Sequence, residues 1–381
     1  MLKYFKQPSL AIAAGLLALS LSGTASAQST CESIQSSISS GSCTGSCITD
    51  YQRDYPECFG STSSTVGASQ AIGSTSLLQM LTISSAAGAR FAAFQAPPGA
   101  RADSGQRSGL AAGGASDKWN AWGSLGGDNS KYDGGRNAAT TNQLKSNLNV
   151  TNAVLGADFL YAPTLALGAS LGFDRGSGSN ESLSAAGVSN GVNNLTSDGY
   201  TVAPYLAWQI DKDWALDASM GWGEIDFTST GNLAGSAKRF FYGANLNYTH
   251  WYGSWQVTGK GSYLYGEEKY GNLTTNAATM ANTATKNKVD QFRLGAQAGY
   301  WMDGVLPYFG LAYSTDSRST SAATTVQQAT DDLGKSAWLW SLGVNFISLK
   351  NSMTGGIVYN RESGRSHSKR DSFMANINYR F

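Results

Sequence analysis

The sequence predicts an all-β chain whose greater part closes as a 12-stranded antiparallel transmembrane β-barrel, and three observations carry that expectation. The last residues alternate strictly, with Phe373, Ala375, Ile377, Tyr379 and Phe381 on one face and Met374, Asn376, Asn378 and Arg380 on the other. Period-2 alternation of this length marks a strand between two different environments. Runs of the same kind recur from residue 117 to the end. The connectors between them alternate short and long, as in a barrel with tight turns at one end and free loops at the other.

Composition points the same way. Charged residues make up 14% of the 381 residues, against about 25% in an average soluble protein. Glycine (45 residues) and aromatics (11%) are plentiful. A mean hydropathy of −0.24 does not fit a helical membrane protein, but suits a wall that is apolar outside and polar within. The net charge of +1 leaves no electrostatic case for nucleic acid.

Residues 1–27 read as a secretory signal peptide. Lys3 and Lys6 precede an apolar run over 10–21, and Ala25-Ser26-Ala27 offers small residues for cleavage after Ala27. The run is shorter than the roughly 20 residues of a spanning helix. No later window approaches that length, so any membrane embedding falls to strands.

Residues 28–60 form a small Cys-containing segment with Cys31, Cys43, Cys47 and Cys58. An even number in an exported chain predicts two disulfides, in any of three pairings. A four-thiolate metal site is the competing reading, but the spacing lacks paired C-x-x-C knuckles. Residues 61–116 read as helix and linker. Ile72, Leu77, Leu78, Leu81 and Ile83 allow a helix up to Pro97-Pro98, and a Gly/Ala/Ser/Arg-rich linker follows.

From 117 to 381 twelve runs follow in order. They begin at Trp119–Leu125, 153–161, 165–173, 200–210, 214–222 and 240–248, and continue through 255–265, 292–300, 309–313, 338–346, 353–360 and the C-terminal run. Short turns are expected near Pro163, Lys212, Gly253, Gly304 and Lys350. Long polar loops are expected over 128–147, 175–198, 228–238, 266–289, 315–334 and 362–370. Trp208, Trp214, Trp251, Trp255 and Trp301 all lie close to short turns, which predicts a ring of indoles at one membrane boundary.

These marks together resemble the translocator β-domain of autotransporters, the type V secretion family. The resemblance is carried by the Trp119-x-Ala121-Trp122 opening strand, the Gly126-Gly127-Asp128 exit and the stretch Asp198-Gly199-Tyr200-Thr201-Val202-Ala203-Pro204-Tyr205. Leu167-Gly168-Ala169-Ser170-Leu171-Gly172-Phe173 and the closing Asn378-Tyr379-Arg380-Phe381 complete it. It implies a bacterial outer-membrane anchor, monomeric, surrounded by outer-membrane lipids and lipopolysaccharide. It also implies that periplasmic chaperones and the barrel-assembly machinery handle the chain, the latter reading Phe373, Ile377, Tyr379 and Phe381 of the last strand. A helix from the segment 69–95 would thread the lumen, with Gly156, Gly168, Gly172, Gly221, Gly243, Gly295 and Gly343 leaving room for it. Two departures stand out. Only 28–116 precedes the barrel and carries no repeats, so a β-helix passenger is not expected. No Asn-Asn junction precedes the first strand, Asn193-Asn194 falling in a later loop, so self-cleavage is not expected either.

No enzyme and no cofactor are expected. Gly168-Ala169-Ser170-Leu171-Gly172 matches G-x-S-x-G, but the hydrolase elbow needs a strand–turn–helix and Ser170 lies in mid-strand. His250 reads as rim packing among Tyr248, Trp251 and Tyr252, and His367 as an exposed loop residue. The inward charges Asp158, Asp217, Lys260 and Arg293 are mixed in sign, whereas an ion-selective porin would cluster one sign. The basic loop 361–370 could touch lipopolysaccharide or simply be solvated. The leading reading is an autotransporter-type barrel that anchors, and translocates to the cell surface, its short N-terminal segment. A stand-alone diffusion pore and an adhesin acting through long loops are the alternatives.

Overall fold

Hydrocarbon offers no partner to a peptide group, so a strand can stand in it only when both of its edges are bonded to neighbours. The computed structural model meets this condition throughout. It describes residues 118–136, 143–183, 189–230, 233–275, 278–279, 284–322, 334–348 and 352–381, and residue 37 alone before them. The signal cleavage site after Ala27, the four cysteines and the proposed lumen segment 69–95 lie outside the described residues.

The strands are β1 (Trp119–Arg136), β2 (Gln143–Ala162), β3 (Leu165–Leu183), β4 (Ser189–Gln209), β5 (Trp214–Ser229), β6 (Leu233–Tyr252) and β7 (Trp255–Tyr270). A hairpin of two-residue strands follows, β8 (Thr274–Thr275) and β9 (Ala278–Thr279). Then come β10 (Thr285–Tyr300), β11 (Val305–Ala322), β12 (Ser336–Ser348), β13 (Met353–Ser363) and β14 (Ser368–Arg380). The twelve long strands pair antiparallel with their chain neighbours, β7 pairing with β10 past the small hairpin. β1 pairs with both β2 and β14, which closes the cylinder. At the closing point Trp119 and Phe381 exchange both backbone hydrogen bonds at 3.0 Å. The small hairpin leans on the outer end of β6 through Leu233 and Thr275.

All twelve expected strands are present, but they are longer than their alternating cores. β2 and β4 run for 20 and 21 residues, where about 9–11 suffice to cross a bilayer. The expected long loops over 128–147 and 175–198 are therefore mostly ladder: Arg175 pairs with Asp198 and Asn180 with Asn193. Asn193-Asn194 accordingly sits in β4 rather than in a loop. Beyond the membrane the outward face of a strand meets water, so the hydrophobic alternation fades while backbone pairing continues, and apolar residues such as Leu195, Phe227 and Val289 are buried on the inside. The connector expected over 228–238 shrinks likewise, because β5 reaches Ser229 and β6 starts at Leu233.

At the opposite end the turns are tight. Asp211 Oδ1 accepts the amides of Asp213 and Trp214 at 2.8 Å each, stapling the β5 entry. Gly253 at φ 61° and Gly304 at φ 89° supply the left-handed backbone that two other turns need. The turn expected near Lys350 lies outside the described residues.

The wall is inverted relative to a soluble protein. Leu125, Leu294 and Leu342 are 60–66% exposed, whereas Asn120, Asp158, Asn245 and Asn378 on the lumen side are at most 2% exposed. Trp208, Trp214 and Trp255 form the expected outward ring near the short turns. Trp251 and Trp301 do not join it. Trp251 shares the inward parity of the buried Thr249, and the two indoles pack edge-to-face on each other with centroids 6.2 Å apart. His250 takes the outward place instead, between Tyr248 and Tyr252.

Candidate functional site

The lumen wall is the part of the molecule that can act on a passing or resident segment, and its side chains follow from strand parity. Near the short-turn end, Asp158 of β2 accepts from Asn120 of β1 and from the Tyr205 hydroxyl of β4, each at 2.8 Å. Trp122 Nε1 donates to the same hydroxyl at 2.7 Å. Asp217 of β5 accepts from Asn245 and Asn247 of β6 at 2.6 and 3.3 Å. A cavity of about 310 Å³ opens beside it, whose described lining includes Asp217, Lys260, Arg293, Tyr308 and Asn376. The four inward charges read from the sequence are thus lumen residues: Asp217, Lys260 and Arg293 line this cavity together, and Asp158 lies apart from it.

Higher up, where the strands leave the membrane, two ion networks cross the inside. Arg239 of β6 donates to Glu268 of β7 at 2.9 Å and to Asp174 of β3 at 2.7 Å, and all three are buried. Burial opposes the arginine's charge, but Glu268 and Asp174 beside it hold its pKa above the ordinary value. The Tyr270 hydroxyl completes this cluster on Glu268 at 2.6 Å. In the second network Asp316 of β11 accepts from Gln291, Arg318 and Arg365 at 2.9, 3.0 and 2.6 Å. Arg365 also pairs with Glu362, and Arg370 of β14 pairs with Asp128 of β1.

Arg365 and Arg370 belong to the basic loop 361–370, expected to be solvated or to touch lipopolysaccharide. The structure turns both inward, because the lumen carboxylates lie within reach and water competes poorly there. Sequence reasoning placed none of Arg239, Glu268, Asp316 or Arg318 in the lumen. The signal that could have found them is parity: counting outward in twos from Ser170 reaches Asp174, and from Phe241 reaches Arg239.

The geometry is that of a braced conduit, with cations set between anions. Ser170 lies within β3 and its hydroxyl donates to the Ala203 carbonyl at 3.3 Å. His250 faces outward, and His367 Nδ1 lies 2.9 Å from the Asp133 carbonyl oxygen. The Ser170 hydroxyl is thus engaged by a backbone carbonyl rather than by either histidine.

Comparison with known proteins agrees with this geometry. Three solved barrels resemble the chain: the translocator domain of the autotransporter NalP from Neisseria meningitidis, the transport unit of AIDA-I from Escherichia coli, and the β-domain of the Bordetella autotransporter BrkA. For NalP the TM-score is 0.54 at 13% identity, covering 74% of this chain and 97% of that one. AIDA-I gives 0.50 at 16%, covering 71% and 92%. BrkA gives 0.51 at 15%, covering 70% and 100%. At such identities these likenesses establish the barrel fold alone. No curated protein sequence matches the chain significantly. The family model for the autotransporter β-domain matches residues 121–360, well over half of the chain. The chain therefore belongs to the autotransporter family, and its barrel is an outer-membrane β-domain.

Proposed function

We propose that the barrel anchors residues 28–116 in the outer membrane and carries them to the cell surface. The observation that supports this most directly is the closed wall of β1–β14 around a lumen lined with polar side chains of both signs, which can pass or hold peptide without selecting one charge. An epitope tag placed at Ser61 tests the reading. Labelling of the tag on intact cells is expected, and a tag reached only after the outer membrane is permeabilised would rule out surface display.

The outward face of β14, with Phe373, Ile377, Tyr379 and Phe381, is the element we assign to recognition by periplasmic chaperones and the barrel-assembly machinery. Its aromatics meet lipid, and Phe381 bonds the first strand. We assign no catalytic role to the chain. Supporting this, the Ser170 hydroxyl is hydrogen-bonded to a backbone carbonyl within a continuous strand. A hydrolytic activity abolished by Ser170→Ala, His250→Ala or His367→Ala would overturn that assignment.

A further inference from the structure

Four lysines collect on one side of the barrel above its outer aromatic layer. Lys238 of β6 faces Lys269 of β7, and Lys269 faces Lys286 of β10, so three cations share one row across three strands. Lys288 joins them on β10, opposite Glu267. All four point outward, because the residues between them, Arg239, Glu268 and Asn287, are buried on the lumen side. The layer directly beneath is aromatic. Tyr242 stacks on Tyr265 with centroids 5.0 Å apart, Phe240 lies 6.4 Å from Tyr265, and Tyr263 lies 6.1 Å from Tyr242. Such a layer marks the level of the lipid headgroups, which sets the lysines at the height of headgroup phosphates.

Like charges directly opposite each other on neighbouring strands destabilise a sheet, and this row is only partly relieved. Glu267 takes Lys269 at 3.1 Å, Lys286 at 2.9 Å and the Tyr265 hydroxyl at 2.8 Å. Burial works against its charge, but those three donors hold its carboxyl down to about 2. One carboxylate therefore serves two lysines, and Lys238 and Lys288 form no ion pair among the described residues. The other outward acids nearby are Glu224, opposite Lys238, Asp226, two positions from Glu224 on the same face, and Asp290, one outward position below Lys288. Glu224 and Asp290 accept from the hydroxyls of Tyr200 at 3.3 Å and Tyr263 at 2.8 Å. Elsewhere on this rim outward cations form ion pairs, Arg175 with Asp198 at 3.5 Å and Arg361 with Asp371 at 4.0 Å. Lys131 faces Lys369 at the β1–β14 junction, a pair of cations across two strands rather than a row of three across three.

We propose that the outer ends of β6, β7 and β10 bind the phosphate groups of a phosphorylated outer-leaflet glycolipid, lipopolysaccharide. Lys238, Lys269, Lys286 and Lys288 form the cationic cradle, and the tyrosine layer below packs against the apolar base of the headgroup. Glu267 holds Lys269 and Lys286 in place, while Lys238 and Lys288, in no ion pair among the described residues, are the cations open to the lipid phosphates. The site rests on the outer-membrane placement of the barrel and is independent of surface export of residues 28–116.

The full chain, folded in detergent, is titrated with bis-phosphorylated lipid A, and retained lipid is counted by native mass spectrometry. Wild type is expected to hold the lipid. The combined Lys238→Gln, Lys269→Gln, Lys286→Gln and Lys288→Gln variant is expected to bind at least tenfold more weakly. Lys131→Gln with Lys369→Gln should bind as wild type, and lipid A stripped of its phosphates should bind wild type as weakly as the quadruple variant binds intact lipid A. Heat-modifiable gel mobility reports whether the quadruple variant has folded. If it has not, Lys238→Gln with Lys288→Gln removes the two lysines without ion pairs, and the same loss is expected. Undiminished binding by a folded lysine variant, or equal binding of phosphate-free lipid A, overturns the proposal. The Ser61 tag experiment reads export separately, so the two can fail independently.

Discussion

At Gly156 the wall has no room for a methyl group: a Cβ there would lie 2.3 Å from the Trp122 ring. Gly168 stands likewise against Tyr205, Gly221 against Phe241 and Gly343 against Tyr308, each at 2.4 Å. These glycines read from the sequence as space for a plug, but they are sockets for aromatic rings of the neighbouring strands. The Trp122 ring cannot simply swing away, because its Nε1 is tied to the buried Tyr205 hydroxyl. Gly156→Ala is expected to cost about 1–3 kcal/mol by overpacking, measured by urea unfolding of the detergent-folded barrel, and Trp122→Leu in the same chain should recover most of it. Arg239 makes a larger claim. Removing its guanidinium in Arg239→Met leaves Asp174 and Glu268 buried without a counter-charge, at an expected cost of about 3–5 kcal/mol. A loss under 1 kcal/mol in the same assay would show that water reaches those carboxylates. Asp158 and Asp217 were legible as lumen residues because unbroken alternation surrounds them. Arg239 and Glu268 were not, because Lys238 and Lys269 beside them are just as polar.

Among elements, β10 shows what the period-2 signal measures. Its outward Phe292 and Leu294 are 51% and 60% exposed, while Arg293 between them is 6% exposed. Leu294→Arg places a cation in hydrocarbon, where about 2–4 kcal/mol is expected at mid-bilayer. Gln297→Arg, on the lumen parity of the same strand, should cost less than half as much by the same unfolding measurement. Equal costs would mean that the outward face is not in lipid. β14 carries a second expectation. Deleting Phe381 removes an outward aromatic and the two hydrogen bonds that tie the last strand to Trp119. The heat-modifiable fraction recovered from outer membranes should then fall several-fold. The alternation marked the membrane-crossing core of each strand and stopped where the lipid stops. Ladders such as Asn180 with Asn193 continue past it, held by backbone bonds that leave no trace in the side-chain pattern.

For the whole molecule, the question is what occupies the conduit. Deleting residues 69–95, the segment expected to form a lumen helix, should raise single-channel conductance sharply if it fills the bore, and unchanged conductance would place it elsewhere. What the sequence alone determined was the number of staves, the end carrying the tight turns, and the lipid-facing side, since all three are written in local alternation and turn residues. The autotransporter resemblance was likewise legible over residues 117–381, and the family model matches 121–360. Only the tertiary structure decided which charges meet. Arg239 joins Asp174 across 65 residues of chain and Arg370 joins Asp128 across 242, and the row Lys238–Lys269–Lys286 exists only in the register of three strands. Register and closure are properties of the assembled sheet, so the partners they bring together cannot be read from any one stretch of chain.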